Sequence, residues 1–250
     1  VTGDGQAEVR YLQTSCSAGG CRTRVDVQAW DGTAWRDIGP GDAGVDNADA
    51  LTFKVAGQSR VLSLHGGQLP ERFGPTRGVT VDYAYNGTRF AENARTLDPT
   101  VYLIQAVLDA DAVFESGDYE AAALAYGKAA TGAGLRDWKA ETGRSAAGGT
   151  PAASDQLKGY ALFRVALATA LAGSDPTAAL DATIVTSKEP VFANGAQAFR
   201  RGLQERGSVR DGCLEATGYL TTGAIPAYTA GIFDYGPANP GNVSRDICPF

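Results

Sequence analysis

The sequence predicts an α+β fold: an N-terminal antiparallel β-sheet or sandwich over residues 1–93, then a stack of helical hairpins over 98–250. Three observations carry that division. Apolar residues alternate with polar ones as far as Phe90, the period of a half-buried strand. Beyond Asp98-Pro99 they recur instead at helical spacing. Within the second half one helical pattern stops at Gly117 and another starts at once, so two amphipathic helices must fold back on each other.

In the first half, Cys16 and Cys21 flank Ser-Ala-Gly-Gly, a loop that brings two strand ends together. Val25, Val27 and Ala29 alternate up to Asp31-Gly32, and a further strand passes through Trp35 and Ile38. Leu51 to Val55 and Arg60 to Leu64 flank Ala-Gly-Gln-Ser. Val79, Val81, Tyr83 and Tyr85 run into Asn86-Gly87, a two-residue hairpin signal. One face of such a sheet is packed and the other partly wet. Ala91 to Thr100 reads as a polar bridge containing Asp98-Pro99, with Asp as helix cap and Pro just inside.

In the second half, Leu103, Val107, Ala110 and Phe114 share one helix face, and Tyr119, Ala122, Ala123 and Tyr126 the next. Thr131 to Asp155 reads as a connection whose Ala146 to Ser154 portion is low in complexity. Tyr160, Phe163, Leu167 and Leu171 form another stripe, stopped by Gly173, and Asp175-Pro176 opens the following helix. Phe192, Ala196 and Phe199 lead to Gly207, followed by Val209 to Leu220. The tail after Gly223 has no period and is expected to be held down through Cys248.

The segment Ala106 to Ala130 resembles a tetratricopeptide repeat. With Gly117-Asp118-Tyr119 at the inter-helix turn, Ala110 takes the small position of the first helix, and Ala122, Tyr126 and Ala129 take those of the second. Gly173 and Gly207 lie 34 residues apart, the period of that family. The resemblance runs from about Asp98 to Leu220, with Arg200 and Gly212 at positions that usually hold small or Ala residues. It implies a short TPR-like α-hairpin solenoid that binds a peptide or partner protein along the inner face of its first helices. Carried over by position, that face holds Ile104, Val107, Asp111 and Phe114, then Tyr160, Phe163 and Leu167, then Asn194, Gln197 and Arg201. An open apolar groove is costly in water. Its cover is expected to be the tail with Ile232, Phe233 and Tyr235, the β-rich half, or a segment of another molecule, a second copy included. The chain is also similar to secreted bacterial proteins that join a β-rich half to such helices, which implies no activity.

Composition bounds the compartment and the partners. A hydrophobic fraction of 44% with 20% charged residues is that of a folded globular chain. The net charge of −6 argues against a nucleic-acid partner, because phosphate neutralisation needs a basic surface. No apolar run approaches the roughly 18 residues of a membrane span; the best, Tyr160 to Ala172, is interrupted by Arg164. If buried, Arg164 needs a carboxylate or carbonyl partner; otherwise it reaches the surface. Four cysteines and no methionine fit an exported, extracellular or cell-surface protein whose signal peptide has been removed. Local pairing, Cys16–Cys21 and Cys213–Cys248, is the most economical of three connectivities. Chain-entropy arguments give roughly 2 kcal/mol for the short loop and about 4 kcal/mol for the long one.

Catalytic readings find little support. His65 in Leu64-His65-Gly66-Gly67 has the look of a hydrolase oxyanion loop, but the chain lacks both a Gly-x-Ser-x-Gly elbow and a second histidine. Disulfides account for all four thiols, and one histidine is too few for a zinc site, so no metal or cofactor is expected. Asp109, Asp111, Glu115 and Asp118 cluster and leave a carboxylate-dependent hydrolase as a third reading. Asp42, Asp46, Asn47 and Asp49 lie in a Gly-rich loop with oxygens suited to calcium, at a spacing that fits turn chemistry better. Trp30 and Trp35 suit a sugar-stacking platform or a cross-strand aromatic pair. Asn86-Gly87-Thr88 and Asn242-Val243-Ser244 are formal glycosylation acceptors.

The expected function is therefore non-enzymatic: an exported structural or interaction protein acting through protein–protein contacts. Self-assembly into a filament or surface layer is part of that expectation, by strand addition at a sheet edge. A carbohydrate-binding or cell-wall module using Trp30 and Trp35 is the alternative.

Overall fold

The computed structural model describes residues 7–17, 20–41, 44–56, 59–67, 74–143, 153–188, 190–221, 235 and 248–249. The chain forms two compact units, Val1–Pro99 and Thr100–Phe250. The boundary falls later than residue 93 because the residues expected as a polar bridge belong to a strand.

The first unit is one antiparallel sheet. Its strands are β1 (Glu8–Ser17), β2 (Gly20–Trp30), β3 (Trp35–Asp37), β4 (Gly44–Ala56), β5 (Ser59–Gly67), β6 (Gly78–Tyr85) and β7 (Phe90–Leu97). They lie in the order β1-β2-β4-β5-β6-β7, with β3 paired to β2. The Ile38 amide donates to the Val27 carbonyl at 2.8 Å, and its own carbonyl accepts from the Phe90 amide at 2.7 Å. The chain after β3 therefore ties β2 to the start of β7, and the sheet curls over its apolar face. Val25, Val27, Leu62, Leu64, Val79, Val81, Tyr83 and Phe90 are fully buried on that face. Val25, Val27, Val79, Val81 and Tyr83 are alternating positions read from the sequence, since residues two apart in a strand share a face.

Three local expectations are corrected. β7 was expected as a bridge; its exposed Glu92 and Arg95 hide it from a hydrophobic reading, and pairing with β6 alone defines it. The β6–β7 loop holds the four residues Asn86 to Arg89 rather than two, because Tyr85 pairs with Phe90. There Asn86 Oδ1 accepts from the Thr88 and Arg89 amides, both at 3.0 Å. The expected Gly-rich loop around Asp46 is the start of β4, with a bulge between Asp46 and Ala50.

The second unit holds α1 (Leu103–Glu115), α2 (Tyr119–Thr131), α3 (Trp138–Glu141), α4 (Ala153–Leu171), α5 (Thr177–Thr186), α6 (Pro190–Arg206) and α7 (Val209–Thr221). Apart from the short α3, each helix packs on the next: α1 on α2, α2 on α4, then α5, α6 and α7 in turn. The turns at Gly117, Gly173 and Gly207 all have positive φ, at 85°, 78° and 81°. Asp98 does not cap α1, which starts at Leu103. The Gln105 carboxamide accepts instead from the Val101 and Tyr102 amides, at 2.9 and 3.1 Å. Both disulfides form as expected, Cys16–Cys21 across β1 and β2, and Cys213–Cys248 from α7 to the tail.

Where the earlier stripes meet, aromatic rings pack edge to face: Tyr126 on Tyr160 at 6.2 Å and Tyr160 on Phe192 at 5.8 Å between centroids. The α6–α7 pair approaches more closely still. A Cβ on Gly202 would overlap the Asp211 carbonyl, and one on Gly212 would sit 2.9 Å from the Phe199 carbonyl oxygen. Gly202→Ala should therefore lower stability by about 2–3 kcal/mol in urea unfolding, because backbone must move to admit it. Gly127→Ala in α2, with nothing within 4 Å of the new Cβ, should instead be neutral or stabilising by up to about 1 kcal/mol.

Candidate functional site

The residues carried over to a binding groove do not share one surface. Ile104, Val107 and Phe114 on α1, and Tyr160, Phe163 and Leu167 on α4, are each 5% exposed or less and belong to the helical core. Neighbouring helices cover the stripe that an open solenoid would present. Asn194, Gln197 and Arg201 on α6 are exposed, with Asn194 donating to the Tyr219 hydroxyl at 3.0 Å. Of the tail, Tyr235 is buried against Trp138, with Lys139 Nζ 4.8 Å from its ring centre. Ile232 and Phe233 lie outside the described residues.

Asp111 occupies the centre of that core. The Tyr126 hydroxyl donates to Asp111 Oδ1 at 2.5 Å, and the Tyr160 hydroxyl to the same oxygen at 2.7 Å. Arg164 is 2% exposed; its Nε donates to the Tyr126 hydroxyl at 3.2 Å, and a terminal nitrogen lies 3.9 Å from Asp111 Oδ1. Its guanidinium stacks 4.2 Å from the Phe114 ring centre. The carboxylate partner that a buried Arg164 requires is thus Asp111, from another helix. Burial pushes the Asp111 carboxyl above its ordinary range, while Arg164 and the two tyrosines pull it back. This cluster joins α1, α2 and α4 in the interior of the helical unit.

A second titratable cluster was not legible in the sequence. His65 in β5 stands between two carboxylates: Nδ1 lies 2.5 Å from Asp49 Oδ1 and Nε2 lies 3.2 Å from Asp98 Oδ2. Backbone shape makes this fit. The β4 bulge, where Asn47 takes φ 46°, carries Asp49 to the imidazole. A side chain at Gly78 would collide with the Asp98 carboxylate. Arg77 Nε holds the Asp98 carbonyl at 2.7 Å. The hydrogen bond to Asp49, above all, raises the His65 pKa, with Asp98 adding to it against the cost of burial. The pairing of a lone histidine with two glycines is the only trace of this in the sequence.

The other candidates are accounted for by local structure. Trp30 and Trp35 pair across β2 and β3 with centroids 5.6 Å apart and planes tilted by 59°, so they form a cross-strand pair with no shared flat face. Asp46 meets Arg22 at 3.6 Å, Asn47 Oδ1 accepts from the Cys21 amide at 3.2 Å, and Asp42 lies outside the described residues. Among the described residues no group of three or more acids, histidines or cysteines is placed to hold a metal ion. Asp118 caps α2 by accepting from the Ala121 amide. Asn86 is engaged in its turn, and Asn242 lies outside the described residues. Gln13, Ser15, Arg22 and Arg24 line a cavity of about 300 Å³, where Arg24 lies 3.4 Å from Asp26.

β1 presents a long, exposed outer edge. β1 pairs with β2 without a break from Glu8↔Ala29 to Ser17↔Gly20. Among the described residues no strand lies on its other edge. All but Glu8 of its ten residues are exposed, including Val9 at 48%, Tyr11 at 45% and Leu12 at 45%. From Tyr11 to Ser17 the strand has no charge, no proline and no bulge, the devices that usually protect an edge. No family model, curated protein or solved structure matches the chain.

Two outcomes follow from the clusters. Asp111→Ala should cost about 3–5 kcal/mol in urea unfolding, since it strands a buried guanidinium, whereas Asp111→Ala with Arg164→Met should recover part of that loss. For His65 a raised native pKa means that its contribution is complete below the ordinary value of 6.5 and is lost as pH rises through the native value. Wild-type urea midpoints should fall between about pH 6 and about pH 8, and His65→Gln should flatten that slope.

Proposed function

We propose that this is an exported, non-enzymatic structural or interaction protein that works through protein–protein contacts. Those contacts include ones between its own copies, which build a filament or a surface layer. The observation that carries this reading is the β1 edge: ten residues long, exposed in all but Glu8, and without charge, proline or bulge from Tyr11 to Ser17. A strand edge of that kind recruits another strand by main-chain hydrogen bonding. The two disulfides support an oxidising compartment, and so an extracellular or cell-surface location after signal-peptide removal. No helix among the described residues is long and apolar enough to cross a membrane. A glycan contact is the second reading, supported by Trp35, which is 47% exposed beside Trp30.

Light scattering across a range from about 1 μM to about 100 μM, spanning usual association strengths, tests the first reading. The mean mass should rise with concentration, and electron micrographs of concentrated native material should show filaments or sheets. A single monomeric species at every concentration would overturn it.

A further inference from the structure

We infer that β1 pairs with β1 of a second copy, antiparallel, about a twofold axis at Leu12. This rests on the self-association reading above and names the partner and the register at that edge.

The backbone directions are fixed by the β1–β2 pairing. The Ala7 carbonyl accepts from the Trp30 amide at 2.9 Å, and the Cys16 and Cys21 Cα atoms stand only 4.0 Å apart, as in a pair without mutual hydrogen bonds. Odd-numbered residues of β1 therefore turn their N–H and C=O groups toward β2. Arg10, Leu12, Thr14 and Cys16 turn theirs to the outer edge.

A twofold axis normal to the sheet keeps the two faces of each copy aligned, so residues opposite each other must have the same parity. Centring it on Leu12 sets Leu12 against Leu12, Tyr11 against Gln13, Arg10 against Thr14, Val9 against Ser15 and Glu8 against Cys16. Every outward N–H then meets an outward C=O, because even-numbered residues face even-numbered ones. The strand's two charges, Glu8 and Arg10, each meet an uncharged residue. Parallel in-register stacking would instead set Glu8 on Glu8 and Arg10 on Arg10, which like-charge repulsion disfavours. The half-exposed Leu12 side chains cover each other at the axis, beside Val25, the buried neighbour of Leu12 on β2. The Cys16–Cys21 bond holds the β1–β2 hairpin at its loop end, so the edge is presented with little ordering left to do.

The test uses sedimentation velocity on the whole protein with both disulfides intact. Leu12→Glu and Leu12→Lys are each compared with wild type, alone and as an equimolar mixture. Leu12 is half exposed, and thermal unfolding of each variant confirms the fold. Each variant alone should raise the dimer dissociation constant by roughly 100-fold or more, since two like charges then face each other at the axis. The mixture should recover one-to-one pairs, because opposite charges meet only when position 12 faces position 12. Variants that dimerise as well as wild type would overturn this interface while leaving self-association through another surface standing. Dissociated variants with no recovery on mixing would overturn the register. A wild type that stays monomeric would overturn both this inference and the function it rests on.

Discussion

One guanidinium organises the helical half. Arg164 lies on α4 with almost no solvent contact, and a charge there is tolerable only if its neighbours supply opposite charge and hydrogen bonds. Those neighbours come from two other helices: Asp111 and Phe114 from α1, and Tyr126 from α2. Tyr160, one turn before Arg164 on α4, donates to the same carboxylate oxygen. A slip of α1 or α4 by one turn would separate the acid from the base, and a slip of α2 would take the Tyr126 hydroxyl from both, so the cluster fixes the register of three helices. Apolar side chains alone tolerate such slips more readily, because burial has no direction.

The sheet obeys a different constraint. Its inner face buries eight large apolar or aromatic side chains completely, and curling through Ile38 lets a single layer do so. β2 bonds β1 along one edge and shares its other edge between β4 and β3. β1 lies outside the core at one end of the strand order, with all but its first residue exposed. Burial of Val25 and Val27 keeps β2 in place, and β1 follows because its whole length is bonded to β2. Among the described residues the outer edge of β1 is thus a by-product of how the core is closed.

What the sequence made legible tracks how far a local pattern reports burial. Alternation found β2 and β6, whose inward residues are buried, the Ala-Gly-Gln-Ser turn marked β4 and β5, and helical spacing found α1, α2, α4, α6 and α7. The glycine turns marked the hairpin ends, and short loop closure picked the disulfide pairing. β7 escaped because its side chains are mostly exposed and its existence depends on β6. The groove assignment placed Ile104, Val107 and Tyr160 on a face for binding, whereas the same apolar character serves the interior equally well. Spacing cannot separate those uses, since it reports which face is apolar and says nothing of what covers it. Arg164 was readable as a residue in need of an acid, but Asp111 lies 53 positions earlier in the chain. The His65 cluster depends on a bulge and on the end of β7, both products of pairing between distant segments.

Edge pairing also bears on how far assembly proceeds. A contact about a twofold axis is made by the same strand on both copies, so it is complete at two and leaves no β1 edge free. Growth of the proposed filament or layer would accordingly need a second, different surface, with the proposed pair as its repeating unit. Each copy carries a net charge of −6, which opposes the approach of a second at long range. The proposed contact, residues 8–16 of each copy, holds one acid and one base and so has no net charge, and repulsion falls on the rest of each molecule. Long-range repulsion of that kind is screened by salt, whereas main-chain hydrogen bonds along the edge are not. The proposed contact through β1 should therefore strengthen as salt is added.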